Sequence, residues 1–152
     1  MHRILSAALA VPAIIAVAAF AAVSSPGFAQ NTTINPRVVT RPDATVPFAG
    51  EPARLLAVGA ERHGDSRLSP ARRSCNTCHL QEDSYNATFK KPWPHFVASV
   101  KRKAGLDTIT AEGMVQFCMI SAMGTKPLAW DSETLAALTA FVIERHRKVV
   151  EK

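Results

Sequence analysis

The stretch Cys75-Asn76-Thr77-Cys78-His79 has the pattern C-x-x-C-H, which is typical of covalent c-type haem attachment. Two thiols separated by two residues can form thioethers with the two vinyl groups of a haem. The histidine that follows directly is carried beneath the ring, where an imidazole nitrogen can bind the iron. We therefore expect Cys75 and Cys78 to hold the haem covalently and His79 to be the proximal iron ligand.

Two other interpretations of this motif were considered. A structural zinc site would need a second Cys/His pair at ligand spacing, and the only other cysteine in the chain is Cys118. A thioredoxin-like redox motif would need a βαβ pattern around the two cysteines, and the sequence has none. Because C-x-x-C-H occurs once, we expect one covalent haem c with its iron.

The N-terminal residues have the pattern of a secretory signal peptide. A basic start, Met1-His2-Arg3, precedes an apolar stretch from Ile4 to Val23, and small residues lead to Ala29. This pattern predicts a signal peptide over residues 1–29. The alternative is an uncleaved anchor, since about 20 apolar residues can span a bilayer. We favour cleavage, which gives an exported, periplasmic protein with no stable membrane anchor. The periplasm is also the compartment in which bacterial haem c is attached.

The chain has 152 residues and a formal net charge of +6. A basic balance can indicate nucleic acid, an acidic lipid surface or an anionic protein partner. An exported haem protein is not expected to bind nucleic acid, so we expect redox proteins, which the sequence does not identify, as partners.

The part that follows the signal peptide divides into two segments. Residues 30–50 are polar, contain three prolines and show no hydrophobic period. We expect this segment to be an extended arm, with Arg37 and Arg41 in solvent. Residues 51–152 are long enough for one small domain with a single core, and we assign them to a cytochrome c domain.

Hydrophobic periodicity predicts an all-α fold, with one helix before the haem motif and two to three after it. Period-2 strand patterns are absent. His63, at the end of the first predicted helix, is expected to be solvated. The predicted helices run over about 52–63, 94–103, 110–123 and 131–149.

The second axial ligand of the iron is left open by these patterns. A methionine thioether favours a high redox potential, whereas a thiolate pushes electron density onto the iron and lowers it. A methionine on a helix usually fills the core. An unpaired thiol in an oxidising compartment, by contrast, needs a role. The candidates are Met114, Cys118, Met119, Met123 and His95.

The run from Thr110 to Val142 resembles the end of a haem domain of the thiosulfate dehydrogenase and SoxA-type sulfur-oxidation cytochromes. The resemblance lies in Cys118-x-x-x-x-Met123, in Lys126-Pro127-Leu128 and in the segment that starts at Asp131-Ser132. It extends from the haem motif to the last helix and implies a class I cytochrome c-like fold. It also implies that Cys118 is the distal iron ligand. Met123 remains the first alternative and Met119 the second.

The sequence departs from the catalytic members of this group at one important position. Those members usually have an arginine three residues after the cysteine, where it can hold an anionic sulfur substrate, and this chain has Ser121. They also commonly carry or contact a second haem. We therefore expect a protein that carries single electrons between partners rather than a stand-alone enzyme. The alternative is a haem subunit of a thiosulfate- or sulfur-oxidising enzyme with Cys118 as ligand or reactive thiol.

Overall fold

A computed structural model describes residues 33–80, 85 and 87–151. Within these residues the protein is all-helical, as the sequence predicts, with one helix before the haem motif and three after it. The helices are α1 (Pro52–Gly64), α2 (Ala98–Ala104), α3 (Ala111–Ser121) and α4 (Glu133–Val150).

Side-chain caps explain why three of these helices begin where they do. The Glu51 carboxylate accepts hydrogen bonds from the backbone N–H groups of the first turn of α1, and Pro52 occupies the first helical position. The Thr110 hydroxyl accepts from the N–H of Gly113 at 3.0 Å, and the Ser132 hydroxyl caps α4 in the same way. These caps satisfy N–H groups that have no partner within their own helix.

Helix α2 is shorter than predicted because its expected first residues form a different structure. His95 N donates to Ile109 O at 3.2 Å and Ile109 N donates to His95 O at 3.0 Å, as in an isolated antiparallel bridge. The backbone of His95 is therefore extended, and α2 starts only at Ala98. It ends at Gly105, whose φ of +74° is a left-handed conformation suited to glycine.

Helices α1 and α4 pack closely against each other, and α3 packs against α4. Gly59 of α1 lies directly against the backbone of Ala137 and against Phe141 on α4. A side chain at position 59 would hold the helices apart. The close approach positions the end of α1, which contacts the haem motif.

The segment 33–50 is solvated only in part, because residues 33–41 include side chains that pack against the domain, whereas 42–50 is mostly exposed. Ile34 and Val39 are buried in an apolar cluster with residues of α2 and α3. The prediction that Arg41 is solvated is wrong. Its guanidinium forms an ion pair with Glu112 and donates to the carbonyl oxygen of Trp130 at 2.9 Å.

Several predictions concern residues outside the described part of the chain. The signal peptide over 1–29 and the start of the polar segment belong to this group. Over 33–80, 85 and 87–151, no helix is both long and apolar enough to cross a bilayer.

Candidate functional site

The haem motif forms one compact turn. Cys75–Thr77 is a 3-10 helix, and the N–H groups of Cys78 and His79 both donate to the carbonyl oxygen of Cys75, at 3.2 and 3.0 Å. The N–H of Ser74 donates to the hydroxyl of Thr77 at 3.0 Å. The structure therefore places both thiols and the imidazole of the predicted site on a single short segment.

Helix α1 holds this turn through His63. His63 is 3% exposed, and its Nδ1 lies 2.7 Å from Oδ1 of Asn76, the residue after the first cysteine. Because the amide oxygen can only accept, Nδ1 carries the proton. Its ring also packs on Phe141, with centroids 5.0 Å apart. The prediction that His63 is solvated is wrong, since the local sequence does not show that α4 covers this end of α1.

Burial lowers the pKa of His63, and the hydrogen bond to Asn76 opposes this effect. The ring is therefore favoured in its neutral form. A neutral His63 donates one fixed hydrogen bond to the haem motif and adds no charge to the site.

The motif forms one wall of a cavity of about 240 Å³. Helix α3 also lines the cavity, and α4 contributes Leu138 and Val142. The residues of α3 that line it follow one helical face: Met114, Val115, Cys118 and Met119. Ala122 and Met123, just after α3, line it as well. The structure thus brings the motif, Cys118 and the alternative methionine ligands to one cavity.

Cys118 and the methionines differ in how they face this cavity. Met119 and Met123 are 2% and 4% exposed and belong to an apolar cluster with Leu135 and Leu138 of α4. Met123 is also fixed by its backbone, because its carbonyl oxygen accepts from the hydroxyl of Ser69 at 2.6 Å. Cys118 is only partly buried.

Burial raises the pKa of the Cys118 thiol to about 12, and the thiols of Cys75 and Cys78 add to the effect. A free Cys118 is therefore protonated at neutral pH. A metal ion reverses this preference, since a coordinating thiol is deprotonated.

His79 has the properties of an iron ligand. Its pKa is lowered, first by burial and then by the charge of Arg145, so the ring is neutral and has a lone pair to donate. Its Nδ1 is buried and has no hydrogen-bond partner among the described residues. The ring stacks on Tyr85 with centroids 4.5 Å apart.

The donor set and the cavity fit a haem better than a bare ion. In the described part of the chain no three His, Cys, Asp or Glu side chains are grouped to bind a metal ion. A haem supplies four nitrogen ligands of its own, so it needs one or two from the protein. The two free thiols of the motif and the mostly apolar cavity between His79 and α3 suit that cofactor.

Arg73 is a lining residue that the sequence analysis did not single out as part of the site. It precedes the motif by two residues, lines the cavity, and donates from Nη1 to the carbonyl oxygen of Ala122 at 2.8 Å. Its position against the end of α3 depends on a contact between residues 49 positions apart, and no local pattern encodes such a contact.

Comparison with known protein families finds one match. The SoxA/TsdA, cytochrome c domain family matches residues 61–149, which is more than half of the chain. Neither curated proteins nor solved structures give a significant match. The matched region includes the haem motif, all of α2 and α3 and nearly all of α4. The cofactor is thus a covalently bound haem c with its iron, the fold is that of class I cytochromes c, and the domain has an electron-transfer role. The chain belongs to the SoxA/TsdA cytochrome c domain family.

Proposed function

We propose that this protein is a periplasmic cytochrome that carries single electrons between redox partners through one haem. Cys75 and Cys78 form the two thioether bonds, His79 is the proximal ligand and Cys118 is the distal ligand. One observation supports this most directly: the haem motif and Cys118 line one and the same cavity.

When bound, the haem iron accepts and releases one electron, and the protein supplies orientation and environment. The 3-10 turn and the His63–Asn76 hydrogen bond fix the motif. Apolar side chains of α3 and α4 line the cavity and would shield a bound haem from water. His79, neutral because it is buried, offers a lone pair without first losing a proton.

Cys118 is favoured over Met119 and Met123 because of their packing. Met119 and Met123 already fill an apolar cluster, which is the usual function of such side chains. Cys118 lies on the cavity face of α3 and is not enclosed in the same way.

Optical and electron paramagnetic resonance spectra of the holoprotein test the ligand. The thiolate signature is expected in the wild type and in Met123→Ala, and is expected to be lost in Cys118→Ser. Met119→Leu is the matched control for Met123→Ala, because it changes the other methionine of the same apolar cluster, and it should keep the thiolate signature. A near-infrared methionine–iron band that disappears in Met123→Ala and survives in Cys118→Ser would contradict the assignment.

The proposed export and haem count are tested by the intact mass of the purified protein. The expected mass is that of the chain from Gln30 onward plus one haem. A mass that includes residues 1–29, or that lacks the haem, would contradict this part of the proposal.

Arg73 favours a second candidate function, as a haem subunit of a sulfur-compound oxidising enzyme. Arg73 lines the cavity, and its guanidinium lies beside the carbonyl oxygen of Ala122. It could hold an anionic sulfur substrate near Cys118, although Ser121 stands at the position of the arginine in catalytic members.

Thiosulfate-dependent reduction of an artificial electron acceptor by the purified chain would support this second function. That activity should fall in Arg73→Gln and remain in Arg72→Gln, the exposed neighbour. An inactive wild-type holoprotein with intact haem leaves electron transfer as the function of this chain.

A further inference from the structure

Arg145 of α4 places a positive charge among aromatic rings. Its Nε and Nη2 atoms are buried and have no hydrogen-bond partner among the described residues. The guanidinium carbon lies 5.9 Å from the centre of the Tyr85 ring and 5.9 Å from the centre of the Phe141 ring. Removing a charge from water is costly unless it is paired, and contacts with aromatic faces compensate for only part of that cost.

The acidic side chains near Arg145 in the chain are used by other cations. The carboxylate of Glu144 accepts from Arg147 at 2.7 and 2.9 Å and lies 3.6 Å from the ammonium group of Lys148. Glu151 pairs with Arg147 as well, at 2.6 Å. In the part of the chain that the structure describes, Arg145 therefore forms no ion pair that would cancel its charge.

Two aromatic contacts connect Arg145 to the haem motif. The Tyr85 ring, which the guanidinium faces, also stacks on the His79 ring, with centroids 4.5 Å apart and planes at 10°. The Phe141 ring packs on His63, with centroids 5.0 Å apart, and His63 holds the motif by a hydrogen bond. Only one ring thus separates the cation from the proximal ligand.

The charge of Arg145 acts on both histidines of this cluster. Burial and then the charge of Arg145 lower the pKa of His79. Burial is also the main cause of the lowered pKa of His63, and the charge of Arg145 adds to it. In both rings the cation makes an additional positive charge less favourable. The same repulsion acts on an iron bound at His79, because oxidation of the haem adds one positive charge there.

We propose that Arg145 raises the reduction potential of the haem, because its charge disfavours the more positive, oxidised state of the site. The inference rests on the proposed function in that His79 is the proximal ligand, and it does not depend on the distal ligand or on the electron partner. Arg145 does not touch the reacting centre and acts through its charge alone.

The size of the effect follows from the distance and the surroundings. Two unit charges roughly 10–15 Å apart, in a medium with an effective dielectric constant of about 20, shift an equilibrium on the order of tenfold. For a one-electron couple, a tenfold shift equals about 59 mV. Salt screens buried charges much less than exposed ones, so the effect of Arg145 should persist at high ionic strength.

Spectroelectrochemical titration of the holoprotein tests the proposal. Arg145→Gln and Arg145→Met both remove the charge, and the methionine keeps an aliphatic side chain between the two rings. At a fixed electrode potential, the ratio of ferrous to ferric haem is expected to fall on the order of tenfold in both variants. Arg145→Lys keeps the charge and should retain most of the wild-type ratio.

Arg147→Gln is the matched control, because it removes the same charge from the same helix. The side chain of Arg147 is 53% exposed and pairs with Glu144 and Glu151. At high ionic strength, where exposed charges are screened, this variant should have the wild-type ratio. The axial-ligand bands of the optical spectrum should be unchanged in all four variants, which shows that the iron ligands are the same.

Three results would overturn the proposal. The first is a wild-type ratio in Arg145→Gln and Arg145→Met. The second is an equal fall in Arg145→Lys, since packing and not charge would then be responsible. The third is a fall that occurs only together with changed axial-ligand bands. The proposed function fails by a separate result, a wild-type spectrum without a histidine ligand, which is recorded before any variant is compared.

Discussion

Gly59→Ala tests the close contact between α1 and α4. A Cβ atom at position 59 would lie 2.2 Å from the carbonyl oxygen of Ala137, 2.7 Å from Cβ of Phe141 and 2.9 Å from the carbonyl carbon of Ala137. Two of these three atoms are backbone atoms of α4, so no side-chain rotation relieves the overlap. The two helices must separate locally to admit one methyl group.

Two opposing effects set the size of the change. Replacing glycine within a helix by alanine stabilises the helix by about 1 kcal/mol. Overpacking a close contact costs about 1–3 kcal/mol and occasionally more, and the clash with backbone places this site at the upper end. We therefore expect the free energy of unfolding of the holoprotein to fall by about 1–2 kcal/mol, measured by guanidinium chloride denaturation.

Gly64→Ala is the matched control, because it makes the same substitution in the same helix. Its Cβ would approach only Nδ2 of Asn76, at 3.3 Å, and position 64 is exposed. Its unfolding free energy should equal that of the wild type or exceed it by up to about 1 kcal/mol, because the helix propensity of alanine is gained without a clash. A Gly59→Ala protein that is as stable as the wild type, or more stable, would refute the close packing of these helices.

Three further predictions concern hydrogen bonds and ion pairs elsewhere in the structure. Gln116 is fully buried and makes two hydrogen bonds to the backbone of Leu128, at 2.7 and 2.8 Å. Gln116→Leu leaves those backbone groups without partners and should lower the unfolding free energy by about 2–4 kcal/mol. An unchanged urea midpoint would contradict this prediction. Arg41→Met should lower the unfolding free energy by about 1–3 kcal/mol in the same assay, because it leaves Glu112 unpaired. The control Arg37→Met, at an exposed position, should lower it by less than about 0.5 kcal/mol. Arg67, chiefly through its side-chain hydrogen bond, holds the pKa of Asp65 well below its usual range. The stabilisation by the Asp65 carboxylate is thus present at neutral pH and lost as the pH falls below about 4, and the difference in Tm between wild type and Asp65→Asn should shrink between about pH 7 and pH 2.5.

The helices were predictable because their signals are local. Glu51-Pro52, Thr110 and Ser132 are capping residues next to periodic apolar runs, and the structure starts α1, α3 and α4 directly after them. The start of α2 was not predicted correctly, because the pairing of His95 with Ile109 is a contact across 14 residues. A periodic pattern alone does not reveal such a pairing.

The burial of Ile34 and Val39 could not be read from the sequence for a related reason. Ile34 and Val39 are two separate apolar residues with no repeat between them, yet both lie in the core. Arg41 pairs with Glu112 across 71 positions and with Trp130 across 89. A charged side chain in a polar segment has the same local appearance whether it is solvated or paired, so only the fold distinguishes the two cases.

The choice of the distal ligand shows the same limit within the site. Cys118, Met119 and Met123 are at most five positions apart on or just after one helix, and all three line the cavity, so periodicity does not rank them. Their packing does, because both methionines complete a cluster with α4 whereas Cys118 stays accessible from the cavity. It follows that changes at 119 and 123 should act mainly on stability and a change at 118 mainly on the spectrum. If the spectrum and the stability changed together at all three positions, packing could not be the property that separates ligand from core.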